Sequence, residues 1–413
     1  MTTKYKDNIL HFDNINILDL ASSHQTPFYL YSENIIRDNF ISYSKSFGSH
    51  KHNICYSVKA NSNLSILSLL AKLDSGFDIV SGGELLRVLK AGGDPKKVVF
   101  SGVGKLEEEM SLALDNNIMC FNIESEDELD TLNEIAISKN LKAPISIRVN
   151  PAINVNTHPY ITTGMRDNKF GIDQNRIISL YKKASLLSGI TIVGIDFHIG
   201  SQIMELEPYI ESMSKIIIIV DELKSYGINL RHIDIGGGLG ISYENEKSVS
   251  KEIFISKIRE VIGTRKLSLI IEPGRSIVGE AGLLVSRVIN IKKSSTKNFV
   301  IADAGMNDLI RPPLYDAHHS IREVLQKSTK LADYDVVGPV CETADFLGKN
   351  RSLSIKKGDY FVVENVGAYG FVLSSNYNTR AKISEYIISK DKIKKIRERD
   401  TIDQILENEI KFL

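Results

Sequence analysis

The chain of 413 residues is too long for one ordinary domain and long enough for two. Its 42% apolar and 25% charged content are those of a globular protein, and 51 basic residues balance 51 acidic ones, which excludes a global field that would draw nucleic acid or an acidic membrane. Three cysteines argue against a disulfide framework, the longest aliphatic run, Ile216 to Val220, is too short to span a bilayer, and the opening "MTTKYKDNIL" has no apolar signal core, so a cytoplasmic location is expected.

Short apolar, β-branched runs recur through the first two thirds of the chain. In order, the expected strands are Ile54–Lys59, Phe77–Ser81, Val98–Gly102, Met119–Ile123, Ile145–Asn150, Ile192–Gly200, His232–Gly238 and Leu269–Gly274. Between them lie helical periodicities such as Leu64–Ala71, Gly83–Ala91, Leu106–Asn116 and Glu128–Ser138. Eight strands alternating with helices predict a (β/α)8 barrel, with an open doubly wound sheet as the alternative. After Arg275 the crossovers stop. Val285–Lys293, Phe299–Asp303, Tyr334–Val340 and Tyr360–Val366 read as strands of a second, mostly β domain, which the segment "TPFYLYS" is expected to join. The tail Lys390–Leu413 reads as an amphipathic helix with Ile393, Ile396, Ile402, Ile405 and Leu406 on its apolar side. The expected division is an N-terminal segment 1–33 joining the β domain, a barrel 34–277, and a β domain with a C-terminal helix 278–413.

The first strand poses a question, because "CYSVKAN" puts Lys59 at the end of a buried run. A lysine there either turns out to solvent or does chemistry. Its neighbours favour chemistry. Strand two ends in Asp78 and Ser81, strand five in Arg148 and Asn150, strand six in "DFHIGSQ", strand seven in "DIGGG" and strand eight in "IEPGR". Polar ends of this kind gather at the C-terminal face of a barrel, where active sites are built.

The run "IGGGLG" after strand seven lets backbone N–H groups approach an anion, although tight turns alone, or a Rossmann turn, also use glycine. In a barrel this is a phosphate position, to which Gly237, Gly238, Ser201 and Gly274 can contribute. A phosphate facing a strand-end lysine points to pyridoxal 5′-phosphate, whose aldehyde condenses with an amine. Glu272 in "EPGR" is placed to keep the ring nitrogen protonated, which favours reactions through a fully stabilised carbanion, such as decarboxylation. His198 can lie against the ring or be a hydrogen-bonded structural residue.

These residues carry a resemblance. "YSVKAN", "GFDIVSGGEL", "HPYITTG" with "KFGI", "DFHIGSQ", "DIGGGLGI", "EPGR", "DAGMNDLIRPPLYDAHH", "GPVCETAD" and "GAYG" occur in the order and spacing of one family. The chain resembles the diaminopimelate decarboxylases, within the alanine-racemase-like, fold-type III pyridoxal-phosphate enzymes. Several motifs are shared with ornithine and arginine decarboxylases, whereas "RPPLYDAHH" and "GPVCETAD" resemble the diaminopimelate branch. The resemblance implies a barrel plus a β domain in a homodimer with shared active sites. It implies that Lys59 bonds the coenzyme, that His198 stacks on its ring, and that Ser201, Gly238 and the Gly274–Arg275 turn hold the phosphate region. It further implies that Glu272 meets the ring nitrogen, that Arg275, Arg311, Tyr315, Glu342 and Tyr369 hold substrate, with Tyr369 also near the cofactor, and that Cys341 donates a proton. Cys341 and Glu342 would come from the partner chain.

The chemistry fits those roles. A substrate with two amino-acid ends needs cations for its distal carboxylate and an anion for its distal ammonium; Arg275, Arg311 and Glu342 supply them. A neutral thiol with a pKa near 8.5 suits proton donation at Cys341, though a structural cysteine is the alternative. Cys55 and Cys120 are expected to be inert core residues. Arg148, Asp78 and Glu84 either orient the site or pair with each other. His318 and His319 lack partners at metal-ligand spacing and are expected at the surface, and no metal is expected. The expected function is decarboxylation of meso-2,6-diaminopimelate to L-lysine and CO2, the last step of lysine biosynthesis. The alternatives are a related decarboxylase of ornithine, arginine or carboxynorspermidine, or a non-catalytic relative that binds partners. No nucleic-acid or membrane partner is expected.

Overall fold

Strands buried on both faces read as continuous apolar runs, and such runs build the first of two compact units, Arg37–Ile241 with Lys247–Ser276. The computed structural model describes residues 2–153, 169–244, 246–328 and 330–413, so the motif "HPYITTG", 158–164, lies outside the described residues. The unit contains eight parallel strands: β1 (His52–Ser57), β2 (Gly76–Ile79), β3 (Val98–Phe100), β4 (Cys120–Ile123), β5 (Ala143–Asn150), β6 (Ile190–Asp196), β7 (His232–Asp234) and β8 (Ser268–Ile271). Each pairs with the next in chain order, and β8 pairs with β1 through Leu269 opposite His52, so the sheet closes. The eight-stranded barrel, rather than the open sheet, is the observed architecture.

Helices return the chain between strands, and several start on the side chain their sequence supplies. Ser81 Oγ accepts the Glu84 N–H at 3.2 Å, Ser125 Oγ that of Glu128 at 3.1 Å, and Ser250 Oγ that of Ile253 at 3.2 Å. Inside the barrel, Cys55, Val99, Cys120, Val193 and Ile270 form one buried cluster, which accounts for two of the three thiols. Burial raises the pKa of both Cys55 and Cys120 well above the ordinary thiol range, as an inert core position requires.

The strands stop earlier than their hydrophobic pattern predicts. Ladder pairing ends at Ser57, Asp196, Asp234 and Ile271, so Lys59 lies in a one-turn 3-10 segment, Val58–Ala60, and His198 and the glycine run lie in loops. Apolar character continues past the last ladder bond because these loops are buried too.

The second unit comprises Met1–Ile36, Ser242–Glu246 and Ile277–Leu413. Its long central strand, Gly282–Lys293, pairs antiparallel with Phe28–Ser32, Asn298–Ala302 and Tyr360–Val363. Phe28–Ser32 also pairs in parallel with Ser384–Ser389, so the N-terminal segment is an interior strand of the β sheet, as expected. Leu10, Phe12, Phe28, Leu30, Leu283, Val285, Val362 and Ile388 share its core.

The tail corrects one expectation. Lys392–Arg397 is an edge strand, with Ile393 opposite Ile388, and the helix is confined to Ile402–Ile410, behind a capping box from Thr401 and Gln404. The register shifts between Glu385 and Tyr386, whose partners are Arg397 and Lys395, so Ile396 is an extra residue in the edge strand. That bulge accommodates the three-residue spacing of Ile393 and Ile396, which mimics a helical period. Among the described residues, no helix is long and apolar enough to cross a membrane.

Candidate active site

The exits of β7, β8 and β1 are neighbours in the barrel, and three sequence-predicted elements leave from them. Lys59 follows β1. Its Nζ donates to Asp78 Oδ2 at 2.5 Å, and Asp78, at the exit of β2, is fully buried. Ser57 Oγ lies 2.9 Å from the same carboxylate oxygen and 2.8 Å from the Glu272 carbonyl oxygen, which ties the exits of β1, β2 and β8 together. Gly274 permits this approach: a Cβ there would sit 2.8 Å from Ala60 Cβ and 3.1 Å from Ser57 Cβ.

Glu272 is buried, and its Oε1 accepts from Ser101 Oγ at 3.2 Å and from Asn122 Nδ2 at 3.4 Å. Burial, reinforced by Asp234, Asp78 and Asp196, holds its carboxyl well above the usual range, with Lys59 opposing. Asp234, whose Oδ1 accepts the Gly236 N–H at 3.0 Å, is pushed by burial up to about 7. Ligand atoms of Asp196, Asp234 and Glu272 lie within 4.8 Å of one another. Carboxyls this crowded and this dry retain protons, so the group reads as a proton-sharing floor beneath the barrel mouth.

The glycine run divides its N–H groups. Gly236 donates to Asp234, and Gly237 donates to His198 Nδ1 at 3.0 Å, so Gly238 is the member whose N–H no described group accepts. Gly238 has φ +99°, and a Cβ there would stand 2.2 Å from the Gly200 carbonyl oxygen. The bond from Gly237 makes His198 Nδ1 an acceptor and leaves the ring proton on Nε2. Burial, with Arg148 and Lys59 adding like charge, lowers the His198 pKa well below its ordinary value, so the ring is neutral. Arg275 Nη2 donates to Ser201 Oγ at 3.0 Å, joining the loops after β6 and β8.

The lysine turn, the glycine cradle around Gly238 and the buried acid at β8 together fit pyridoxal phosphate: an amine for its aldehyde, N–H donors for its phosphate and a carboxyl for its ring nitrogen.

The residues left ambiguous by sequence have definite partners. Arg148 Nη1 donates to Glu124 Oε1 at 2.6 Å, and its Nε lies 3.8 Å from Asp196 Oδ2. Glu84 Oε2 accepts the Val80 N–H at 2.7 Å. Arg148 therefore orders the barrel mouth with Glu124 and Asp196 rather than pairing with Asp78 or Glu84. Sequence reasoning missed Glu124, Asp196 and Asp234 as a set. Each ends a strand, which was the available signal.

In the second unit, Arg311 opens the short helix Arg311–Tyr315 and is buried. Its Nη1 donates to Tyr243 Oη at 2.8 Å, with the guanidinium 5.1 Å above the ring. Tyr315, at the far end of that helix, is half-buried. Tyr369 is half-buried at φ 57°, a left-handed conformation that a tyrosine adopts only under constraint. Cys341 is an exposed free thiol whose N–H donates to Asn378 Oδ1 at 2.9 Å. Glu342 is exposed and accepts from Tyr377 Oη at 3.3 Å. Asp345 anchors this loop, accepting the N–H groups of Val340 and Met306 at 2.6 Å each.

The histidine pair corrects the surface expectation. His319 is fully buried, its Nδ1 2.8 Å from the Glu364 carbonyl oxygen, and His318 is half-buried 2.9 Å from Glu244 Oε1. The backbone carbonyl holds Nδ1 of the His319 ring, which a count of metal-ligand spacings cannot reveal.

Residues 33–279 match the family described as pyridoxal-dependent decarboxylase, pyridoxal binding domain. The chain is 48% identical to the diaminopimelate decarboxylase of Vibrio cholerae over 401 residues, covering 97% of this chain and 96% of that one. It is 45% identical to that of Pseudomonas aeruginosa, covering 99% and 98%. The crystal structure of the Helicobacter pylori diaminopimelate decarboxylase complexed with L-lysine superposes with a TM-score of 0.94 at 46% identity, over 96% of this chain and all of that one. Kinship of this depth along nearly the whole length, on a barrel whose β1 exit carries a tethered lysine, establishes that the chain belongs to the diaminopimelate decarboxylase family of pyridoxal-dependent decarboxylases.

Proposed function

We propose that the protein removes CO2 from meso-2,6-diaminopimelate to give L-lysine, the closing step of lysine biosynthesis, with pyridoxal phosphate as coenzyme. One observation carries the chemistry: Lys59, Glu272 and the glycine turn leave from three adjacent strands of one barrel. The family carries the substrate.

Pyridoxal phosphate, when bound, supplies an aldehyde for an amine and a ring that takes up the electron pair freed by loss of CO2. Lys59 Nζ is the amine. Glu272, whose carboxyl is a strong proton acceptor in its dry setting, holds the ring nitrogen's proton. Neutral His198 covers the ring without adding a competing charge. Gly238, Ser201 and the Gly274–Arg275 turn hold the phosphate region, with Gly237 orienting His198 beside it. Arg311 and Arg275 bind the distal carboxylate, Glu342 the distal ammonium, and Tyr315 and Tyr369 border them. Cys341 Sγ delivers the proton that replaces CO2. The working species is a cytoplasmic homodimer in which Cys341 and Glu342 act on the partner's barrel. Their exposure supports that reading.

The deciding experiment is CO2 release from meso-diaminopimelate beside ornithine, arginine and carboxynorspermidine. A strong preference for diaminopimelate is expected. The distal carboxylate that would pair with the arginines is missing from lysine-sized competitors, a mismatch that discriminates by about 10⁴-fold in favourable cases. Equal or faster turnover of another substrate would overturn the assignment. Retention of both Lys59 and Cys341 argues against a non-catalytic relative.

A further inference from the structure

The second unit also contains a cationic hollow that none of the roles above uses. A cavity of about 340 Å³ is lined by Asn307, Asp308, Asn378, Thr379, Arg380 and Arg399, with Ala381 beside them. Among the described residues neither arginine meets a carboxylate within ion-pair distance. Arg380 Nη2 donates to the Asp303 carbonyl at 3.1 Å, and Arg399 Nη2 to the carbonyls of Pro27 at 2.5 Å and Gln25 at 3.5 Å. The Nε atoms of both are buried and have no acceptor among the described residues. Like charges facing one half-buried hollow are costly unless something neutralises them.

The acid in the wall offsets them only in part. Asp308 accepts the Gly305 N–H and Asn307 Nδ2–H, both at 3.1 Å, and burial pushes its carboxyl up to about 7 against the pull of the Arg380 and Arg399 charges. Asn307 is 2% exposed. Its Nδ2 is committed to Asp308, so its Oδ1, which no described group approaches with a donor, is fixed as an acceptor. The hollow therefore offers two planar guanidinium donors and one buried amide acceptor.

The geometry points to a binding site for a small carboxylate that carries an adjacent hydrogen-bond donor, a 2-hydroxy or 2-amino acid. The carboxylate takes the arginine donors and the hydroxyl or ammonium takes Asn307 Oδ1. Asn378 lines the same hollow and holds the Cys341 N–H, so an occupant reaches the thiol's loop through one side chain.

The test uses the coenzyme-loaded protein and equilibrium dialysis. Glycolate and N,N-dimethylglycine are the probes, because neither can condense with an aldehyde, and they separate hydroxyl from ammonium. Saturable binding of at least one probe, tighter than acetate, is expected. Arg380→Gln and Arg399→Gln should each weaken it about tenfold, and Asn307→Ala should reduce it to the level of acetate. Ala381→Leu, which narrows the hollow and spares both arginines, should abolish it. Unchanged affinity in Ala381→Leu and in both arginine variants, absence of saturable binding by the wild type, or equal binding of inorganic phosphate would each overturn the proposal.

Discussion

Lys59 and Asp78 form an ion pair of 2.5 Å in which the carboxylate is wholly buried while the lysine side chain keeps 35% of its exposure. The amine is thus tethered at the barrel mouth and still reachable. A fully buried lysine would be shielded from a reactant, as Lys105 is, where Nζ donates to Gly102 O, Asn122 O and Glu128 Oε1 within 2.8 Å.

Borohydride trapping followed by peptide mass spectrometry should place the coenzyme on Lys59, and Lys59→Ala should lose both the adduct and at least about 10³-fold in turnover. Asp78→Ala should retain the attachment but lower turnover about tenfold or more, because Lys59 and Ser57 lose their shared acceptor. Attachment at any other lysine would remove the basis of the scheme.

Glu84 makes stability depend on pH in the coenzyme-free protein. Burial lifts its carboxyl from 4.5 to about 7, against the Val80 N–H and the Lys59 charge, which pull it down. The folded state therefore binds this proton more tightly than the unfolded chain. The stability it contributes is fully present below pH of about 4.5 and is lost as pH rises through about 7. Glu84→Gln keeps an oxygen for Val80 and does not titrate. Relative to wild type it should be little changed in acid and more stable at mildly alkaline pH, by on the order of 2 kcal/mol after allowing for partial solvent screening. Denaturant melts at several pH values would show it. Parallel curves for the two proteins would contradict the assignment.

How far the sequence alone could go differs by element. The eight barrel strands were legible because buried parallel strands are apolar without interruption, and Lys59, His198, Glu272 and the glycines stood out as polar or flexible residues at their ends. The edge strand Lys392–Arg397 was not legible, since a bulge at Ile396 gives the isoleucines a helical spacing. Nor were the supports. Asp345 holds Met306 across 39 positions of sequence, Asn378 holds Cys341 across 37 and Tyr243 holds Arg311 across 68, and no local pattern reports such contacts.

Arg311 should govern substrate choice. Arg311→Ala is expected to lower kcat/KM for diaminopimelate by about 10³-fold and to affect weak activity on lysine-sized substrates far less. Arg311→Lys keeps the charge but loses the planar fork, and should recover only part. Tyr243→Phe removes the hydroxyl at 2.8 Å from the guanidinium and should raise KM several-fold with a smaller effect on kcat. Equal losses on both substrate classes would contradict distal-carboxylate recognition.

Asp345 should act through the Cys341 loop. Asp345→Ala leaves the buried N–H of Val340 and the part-buried N–H of Met306 without their acceptor, a change that costs about 1–3 kcal/mol for the buried group when unrelieved. Turnover should fall more than KM changes, and the solvent isotope effect on proton delivery should change, which simple loss of stability would not cause. Asp345→Asn, which retains one acceptor oxygen, should recover part of both. An unaltered isotope effect in a folded variant would reduce Asp345 to a structural role.

Subunit sharing can be tested by complementation. Lys59→Ala and Cys341→Ala are each expected to be inactive or nearly so as homodimers. If Cys341 serves the partner's Lys59, a hybrid dimer carries one site with both lesions and one with neither. Equal mixing with free exchange makes about half of the dimers hybrid, each with one intact site in two, so recovery should approach about a quarter of wild-type activity. If each site were built from a single chain, every site would keep one lesion and mixing would restore nothing, however complete the exchange. Mass spectrometry of the intact mixture, confirming that hybrids have formed, turns a failure to recover activity into a refutation of the shared site.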